Sequence, residues 1–178
     1  MRIIGGKYKG RRFTPPGNLP VRPTTDFARE ALFNILRHQH SPDGMAVMDL
    51  FSGTGSLALE CASAGAGPIW CVDNNRHCCK FIQQTFDTIG EEVNMISDDV
   101  FRFLKSRRMT FDLILADPPY EHPSLDTIPG LIFEHEWLKP DGWLVLEHPG
   151  TYQFNDHPRF KQHRKYGSVN FSIFSNQP

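Results

Sequence analysis

The residues best equipped for chemistry are Asp117-Pro118-Pro119-Tyr120. Consecutive prolines fix the backbone and remove two N–H donors. The Pro118 carbonyl then stands beside the Asp117 carboxylate with only acceptors on offer. Two acceptors next to an aromatic ring suit the exocyclic NH₂ of a nucleobase stacked on Tyr120. Upstream lies Asp49-Leu50-Phe51-Ser52-Gly53-Thr54-Gly55, running on through Ser56-Leu57-Ala58. Its glycines permit a tight turn and close approach of a ligand, and the stretch satisfies G-x-G-x-x-A, a dinucleotide fingerprint. Asp73, 18 residues after Gly55, can accept both hydroxyls of an adenosine ribose, with Asn74 beside it. Asp99, or the backbone N–H of Val100, can read an adenine edge, although Asp99 is equally suited to capping a helix.

These residues need a scaffold, and the hydrophobic pattern supplies one. Apolar runs at Met45–Phe51, Ile69–Val72, Val93–Ile96, Phe111–Ala116 and Trp143–Glu147 read as strands. Helices at 56–64, 75–89 and 100–106 separate the first four. That alternation predicts an α/β fold whose parallel sheet has helices on both faces. Thr25-Asp26 can cap a further helix whose apolar stripe is Phe27, Ala28, Ala31, Leu32, Ile35 and Leu36, with Arg29 off the stripe. At the tail, Val169, Phe171 and Ile173 alternate with polar residues after Tyr166-Gly167-Ser168, predicting a terminal antiparallel pair. Residues 1–13 read as a small β-hairpin and 14–23 as a Pro-rich connector. The expected division is therefore an arm and linker over 1–23 and one domain over 24–178.

Composition narrows the class. The 178 residues carry a formal charge of −1, with 39% hydrophobic and 22% charged residues, which fits a folded globular chain. Without a long apolar run or a signal-like start, the expectation is a cytoplasmic protein that avoids membranes. Cysteines at 61, 71, 78 and 79 lack zinc-site spacing, so buried thiols are expected and no metal. The near-neutral charge hides an asymmetry. Residues 1–25 hold Arg2, Lys7, Lys9, Arg11, Arg12 and Arg22 and no acid, an electrostatic footprint suited to nucleic acid.

Taken in order, Asp49–Gly55 and Asp117–Tyr120 resemble the class I S-adenosylmethionine-dependent methyltransferases that act on exocyclic amines. Arg2-Ile3-Ile4-Gly5-Gly6-Lys7-Tyr8-Lys9-Gly10-Arg11, Arg22-Pro23-Thr24-Thr25-Asp26, Arg29–Leu36 and Arg164-Lys165-Tyr166-Gly167 further resemble the RsmD family, which methylates guanine N2 in small-subunit (16S) ribosomal RNA. Ser52 stands where that family usually has Ala, and Asp73 where it often has Glu. The resemblance implies a Rossmann-like, mostly parallel seven-stranded sheet with an antiparallel last strand. It implies S-adenosylmethionine as cofactor, held by Asp49, Phe51 to Gly55, Asp73, Asn74, Asp99 and Val100, with catalysis at Asp117 to Tyr120. It implies a monomer acting on ribosomal RNA or a small-subunit particle. The substrate contacts would be Arg2, Lys7, Arg11, Arg12, Arg22, Thr24, Thr25, Arg29 and Tyr166. The residues themselves leave open an adenine-N6 DNA methyltransferase, an NAD(P)-dependent oxidoreductase and a non-catalytic RNA-binding module.

Overall fold

Seven strands form one sheet in the order β3-β2-β1-β4-β5-β7-β6. The computed structural model describes residues 1–22 and 24–177. Pro23, read above as the end of the connector, and Pro178 lie outside the described residues. The strands are β1 (Val47–Leu50), β2 (Ile69–Asp73), β3 (Asn94–Ser97), β4 (Phe111–Ala116), β5 (Leu138–His148), β6 (Phe160–Tyr166) and β7 (Val169–Ser175). The first five pair in parallel. β7 runs antiparallel to β5, and β6 antiparallel to β7. The helices are α1 (Asp26–Gln39), α2 (Ser56–Ser63), α3 (Arg76–Ile89), α4 (Val100–Ser106) and α5 (Ile128–Glu134).

Burial explains the layers. On one face α1, α2 and α3 press Leu32, Leu36, Ala58, Ile82 and Phe86 against Val47, Leu113, Val145 and Ile173. On the other, α4 and α5 bring Phe103, Leu104, Ile128 and Ile132 onto Met48, Ile114, Leu144 and Phe174. The strand order reverses between β1 and β4, and open α/β sheets bind ligands at the carboxyl ends flanking such a point. No described helix is long and apolar enough to cross a membrane.

Two expectations need correction. The buried face of α1 is Ala28, Arg29, Leu32, Phe33 and Leu36, rotated from the apolar stripe read in the sequence. Phe27 is 67% exposed and meets only the edge of Tyr166, centroids 5.9 Å apart. Arg29 takes its place inside because a buried carboxylate, Glu60, awaits it. The N-terminal segment folds back on itself antiparallel as expected: Ile3 N–H donates to the Arg11 carbonyl at 2.9 Å, Gly10 N–H to the Ile3 carbonyl at 2.8 Å and Phe13 N–H to the Met1 carbonyl at 2.9 Å. A single antiparallel bridge joins Arg2 and Arg12. Other N–H groups between them reach α2: Ile4 and Gly5 N–H donate to the Glu60 carboxylate at 2.7 and 3.3 Å, and Lys7 N–H to the Ser63 carbonyl at 2.8 Å. Finally, α5 was not expected. Pro129 and Gly130 disguise it, yet Pro129 falls in its first turn, where proline loses no hydrogen bond.

Candidate active site

A cavity of about 360 Å³ opens at the carboxyl ends of β1, β2 and β4. The turn after β1 and the Asp117–Tyr120 corner share it, since both line its wall. The turn is built by unusual backbone. Phe51, Gly53 and Gly55 have φ of 57°, 56° and 77°, a left-handed region costly for a residue with a Cβ. Asp73 holds the turn in place: its carboxylate accepts Gly53 N–H at 2.9 Å and Asn75 N–H at 2.8 Å. Ser52 Oγ donates to the Asp49 carbonyl at 2.7 Å, a bond that alanine would lack. Gly55 does not line the cavity. A Cβ there would lie 2.8 Å from Ile82 Cγ1, so the left-handed backbone and the packing of α3 on the turn, not ligand contact, require glycine.

Asp49 is 1% exposed, yet it reaches the cavity wall with Oδ2 lacking any hydrogen-bond partner. Burial pushes its carboxyl well above the ordinary range. An unpartnered buried acceptor on a residue of the cavity wall is a place for a donor, above all a cationic one. Asp99 does both tasks considered for it. It caps α4 by accepting Arg102 N–H at 2.9 Å and, with Val100, lines the cavity. Phe51 and His122 extend the wall beside them, with Phe101 stacked on His122 at 4.7 Å.

The second half of the site centres on Glu147, near the end of β5 and 2% exposed, which sequence reading missed. It follows the apolar run Trp143 to Leu146 in β5, and the pairing of β4 with β5 brings it beside Asp117. Glu147 Oε1 accepts the Tyr120 hydroxyl at 2.9 Å. Thr24 Oγ1 lies 2.9 Å from Glu147 Oε2 and 3.2 Å from Asp117 Oδ2. A hydroxyl carries one hydrogen. Thr24 therefore donates fully to one carboxyl at a time, and Glu147 Oε2 is the nearer acceptor. Burial, and then the charge of Glu147, push Asp117 well above its ordinary value. Burial also raises Glu147, against the opposing hydrogen bonds of Thr24 and Tyr120 and the charge of Arg22. Arg22 lies 3.8 Å above the Tyr120 ring and 3.6 Å from Glu147.

The expected substrate contacts divide. Arg22 and Thr24 line the cavity. Thr25 is the N-cap of α1 and is not among the lining residues. Arg29 cannot meet a substrate. It is 2% exposed, with its guanidinium paired to Asp26 at 2.9 Å and Glu60 at 3.3 Å, and it donates to the Arg2 carbonyl at 2.6 Å. Tyr166 packs against Phe27 and Phe171. Arg2 pairs with Asp26. Lys7 pairs with Glu91, and Arg11 donates to the Thr88 carbonyl at 3.4 Å. Those last partners sit at the far end of α3, about 20 Å along the helix axis from the cavity. Lys9 and Arg12 are exposed. All four cysteines are buried free thiols.

Residues 1–175 match the family model described as conserved hypothetical protein 95. The Ribosomal RNA small subunit methyltransferase D of Buchnera aphidicola (subspecies Baizongia pistaciae) is 26% identical over 181 residues, covering 99% of this chain and 92% of that one. The structure of yhhF from Escherichia coli superposes with a TM-score of 0.86 at 24% identity, covering 98% of this chain and 97% of that one. A Thermus thermophilus 16S rRNA N2 G1207 methyltransferase, RsmC, solved with AdoMet and guanosine, shares the fold at a TM-score of 0.68 and 21% identity, covering 85% of this chain and 43% of that one. With nearly its whole length matched by one family model, the chain belongs to that family, the RsmD family.

Proposed function

We propose that this protein transfers a methyl group from S-adenosylmethionine to the exocyclic N2 amine of a guanine in small-subunit ribosomal RNA. The observation that carries the reading is the single cavity shared by the turn after β1 and the Asp117–Tyr120 corner. The named activity of the curated relative supports the RNA substrate. The residues fit the cofactor: the unpartnered Asp49 Oδ2 would take its ammonium, Asp73 its ribose, and Asp99 with Val100 its adenine. Bound there, S-adenosylmethionine supplies a methyl group already activated by attachment to positive sulfur.

The chain's own residues then have three tasks. Asp117 and the Pro118 carbonyl accept the two amine hydrogens and turn the nitrogen lone pair toward the methyl, so positioning carries much of the rate. The Asp117 carboxylate stabilises the charge developing on nitrogen and takes the released proton. The Tyr120 ring, fixed through its hydroxyl by Glu147, stacks on a base drawn out of its helix. Arg22, 59% exposed on its side chain, swings off that ring to admit the base and meets a phosphate. A carboxylate also favours guanine. It can accept N1–H and N2–H side by side, whereas adenine presents one donor next to an acceptor.

Two outcomes check these roles. Asp117 must be ionised to work, so activity rises with pH through the titration it shares with Glu147. Glu147→Gln removes a negative charge that holds the Asp117 proton, and the acid limb of the kcat profile moves to lower pH. An unmoved limb would show the two carboxyls to be uncoupled. Asp49→Asn weakens S-adenosylmethionine by at least about tenfold in calorimetry, while it stabilises the unliganded fold at neutral pH. The sign follows from burial: a carboxyl raised in the folded state adds stability below its unfolded value and loses it as pH rises through the folded value. The stability gain should therefore shrink toward pH 4. The activity itself is tested by tritiated-methyl transfer to ribosomal RNA from cells lacking the protein; titration with NADH distinguishes the oxidoreductase reading.

A further inference from the structure

We infer that a second cavity, between the 150–155 loop and strands β6 and β7, binds a nucleotide flanking the one that is methylated; this rests on the RNA substrate proposed above. The cavity has about 230 Å³ and is walled by Tyr152, Asn155, His163 and Asn170 among others. Its place matters first. Glu147 and His148 are consecutive in β5; Glu147 holds Tyr120, and His148 pairs across the sheet with Asn170 of β7. Asn170 in turn pairs with Lys165 of β6. Two strand spacings, about 10 Å, therefore separate the end of β5 from Lys165, along the same carboxyl edge that carries the first cavity. A strand of RNA leaving Tyr120 along that edge crosses the second cavity within a nucleotide or two.

The chemistry fits a nucleotide. Tyr152 offers a partly exposed ring. His163 Nε2 lies 2.9 Å from Asn170 Oδ1, which orients both polar groups at the wall, and Asn170 Nδ2 makes only a long 3.4 Å bond to the Ser168 carbonyl, so it retains donor capacity. Lys165, two residues beyond His163 on the same face of β6, is exposed. From residue 157 to the end the sequence has Arg159, Lys161, Arg164 and Lys165 and no acid at all. Among the described residues, Arg164 and Lys165 have no acidic partner, unlike Arg2 and Lys7 of the N-terminal segment. A cation without an acidic partner, paired across the strands with the Asn170 carboxamide of a cavity that also holds the Tyr152 ring, matches phosphate, base edge and base face.

The test uses the full chain and protein-free small-subunit ribosomal RNA from cells lacking this protein. Tyr152→Ala and Lys165→Ala are each measured for RNA affinity across salt concentrations, for KM and kcat of methyl transfer, and for S-adenosylmethionine affinity. Tyr152→Ala should weaken RNA about tenfold, the loss of one base–aromatic stack, with kcat and cofactor affinity unchanged. Lys165→Ala should lower the salt slope of binding by about one. Unchanged RNA affinity and slope in both variants would overturn the assignment. So would a defect seen only with assembled particles, because the partner of this face would then be a protein. Should wild-type protein bind the RNA but transfer no methyl, the proposed reaction fails, while the binding arm still decides the fate of this site.

Discussion

Asp117→Ala should lower kcat for methyl transfer by about a thousandfold while S-adenosylmethionine binds within a few-fold of wild type. The size follows from what the side chain does alone. It accepts an amine hydrogen, faces the charge that develops on nitrogen, and receives the proton afterwards. No neighbour can substitute. Glu147 is held by Tyr120 and Thr24 and is absent from the cavity wall, and the Pro118 carbonyl cannot take a proton. Cofactor affinity should survive because the Asp49, Asp73 and Asp99 side of the cavity is separately supported by the turn after β1 and the start of α4. Equilibrium calorimetry and single-turnover methyl transfer on the same sample separate the two effects. Turnover within tenfold of wild type would remove Asp117 from the chemistry.

Arg29→Ala should be the most destabilising single change outside the apolar core, at about 3–5 kcal/mol. The guanidinium and Glu60 are 2% and 4% exposed, and removing one leaves the other buried and charged. The cost then spreads. Glu60 also receives the N–H groups of Ile4 and Gly5, so its rearrangement loosens the N-terminal segment from α2. Melting temperature should fall by roughly 10 °C or more. Glu60→Gln added to Arg29→Met should recover part of the loss, because two neutral groups leave no buried charge. Had Arg29 been an RNA contact, as the family resemblance implied, the loss would appear in RNA affinity with the melting temperature intact. Thermal denaturation beside RNA binding distinguishes the two.

These residues show which parts of the molecule are legible in sequence. Strands β1, β2 and β4 were readable because they are buried on both faces and carry almost unbroken apolar runs. The chemistry of Asp117 to Tyr120 and of the turn after β1 was readable because local backbone constraint, proline or glycine, marks it. Arg29 and Glu147 were not, for one reason: each is a charged residue whose partner comes from a distant part of the chain. Glu60 lies 31 positions from Arg29 in sequence, and Thr24 lies 123 from Glu147. A periodicity argument places charge outside, so it rotated the α1 stripe onto Phe27. The pairing of the N-terminal segment was legible, but its attachment to α2 was not. The segment's Ile4, Gly5 and Lys7 N–H groups are not used in that pairing and reach the Glu60 carboxylate and the Ser63 carbonyl, partners distant in sequence. Its Lys7 and Arg11 are consequently anchored at the end of α3 remote from the cavity.

The central claim is that one rigid corner presents a guanine amine to an activated methyl. The measurement that tests it most directly is nucleoside mass spectrometry on small-subunit ribosomal RNA, taken from cells lacking the protein and incubated with it and S-adenosylmethionine. The account predicts N2-methylguanosine appearing at a single position. Methyl on adenine N6, or on no nucleoside at all, would contradict it.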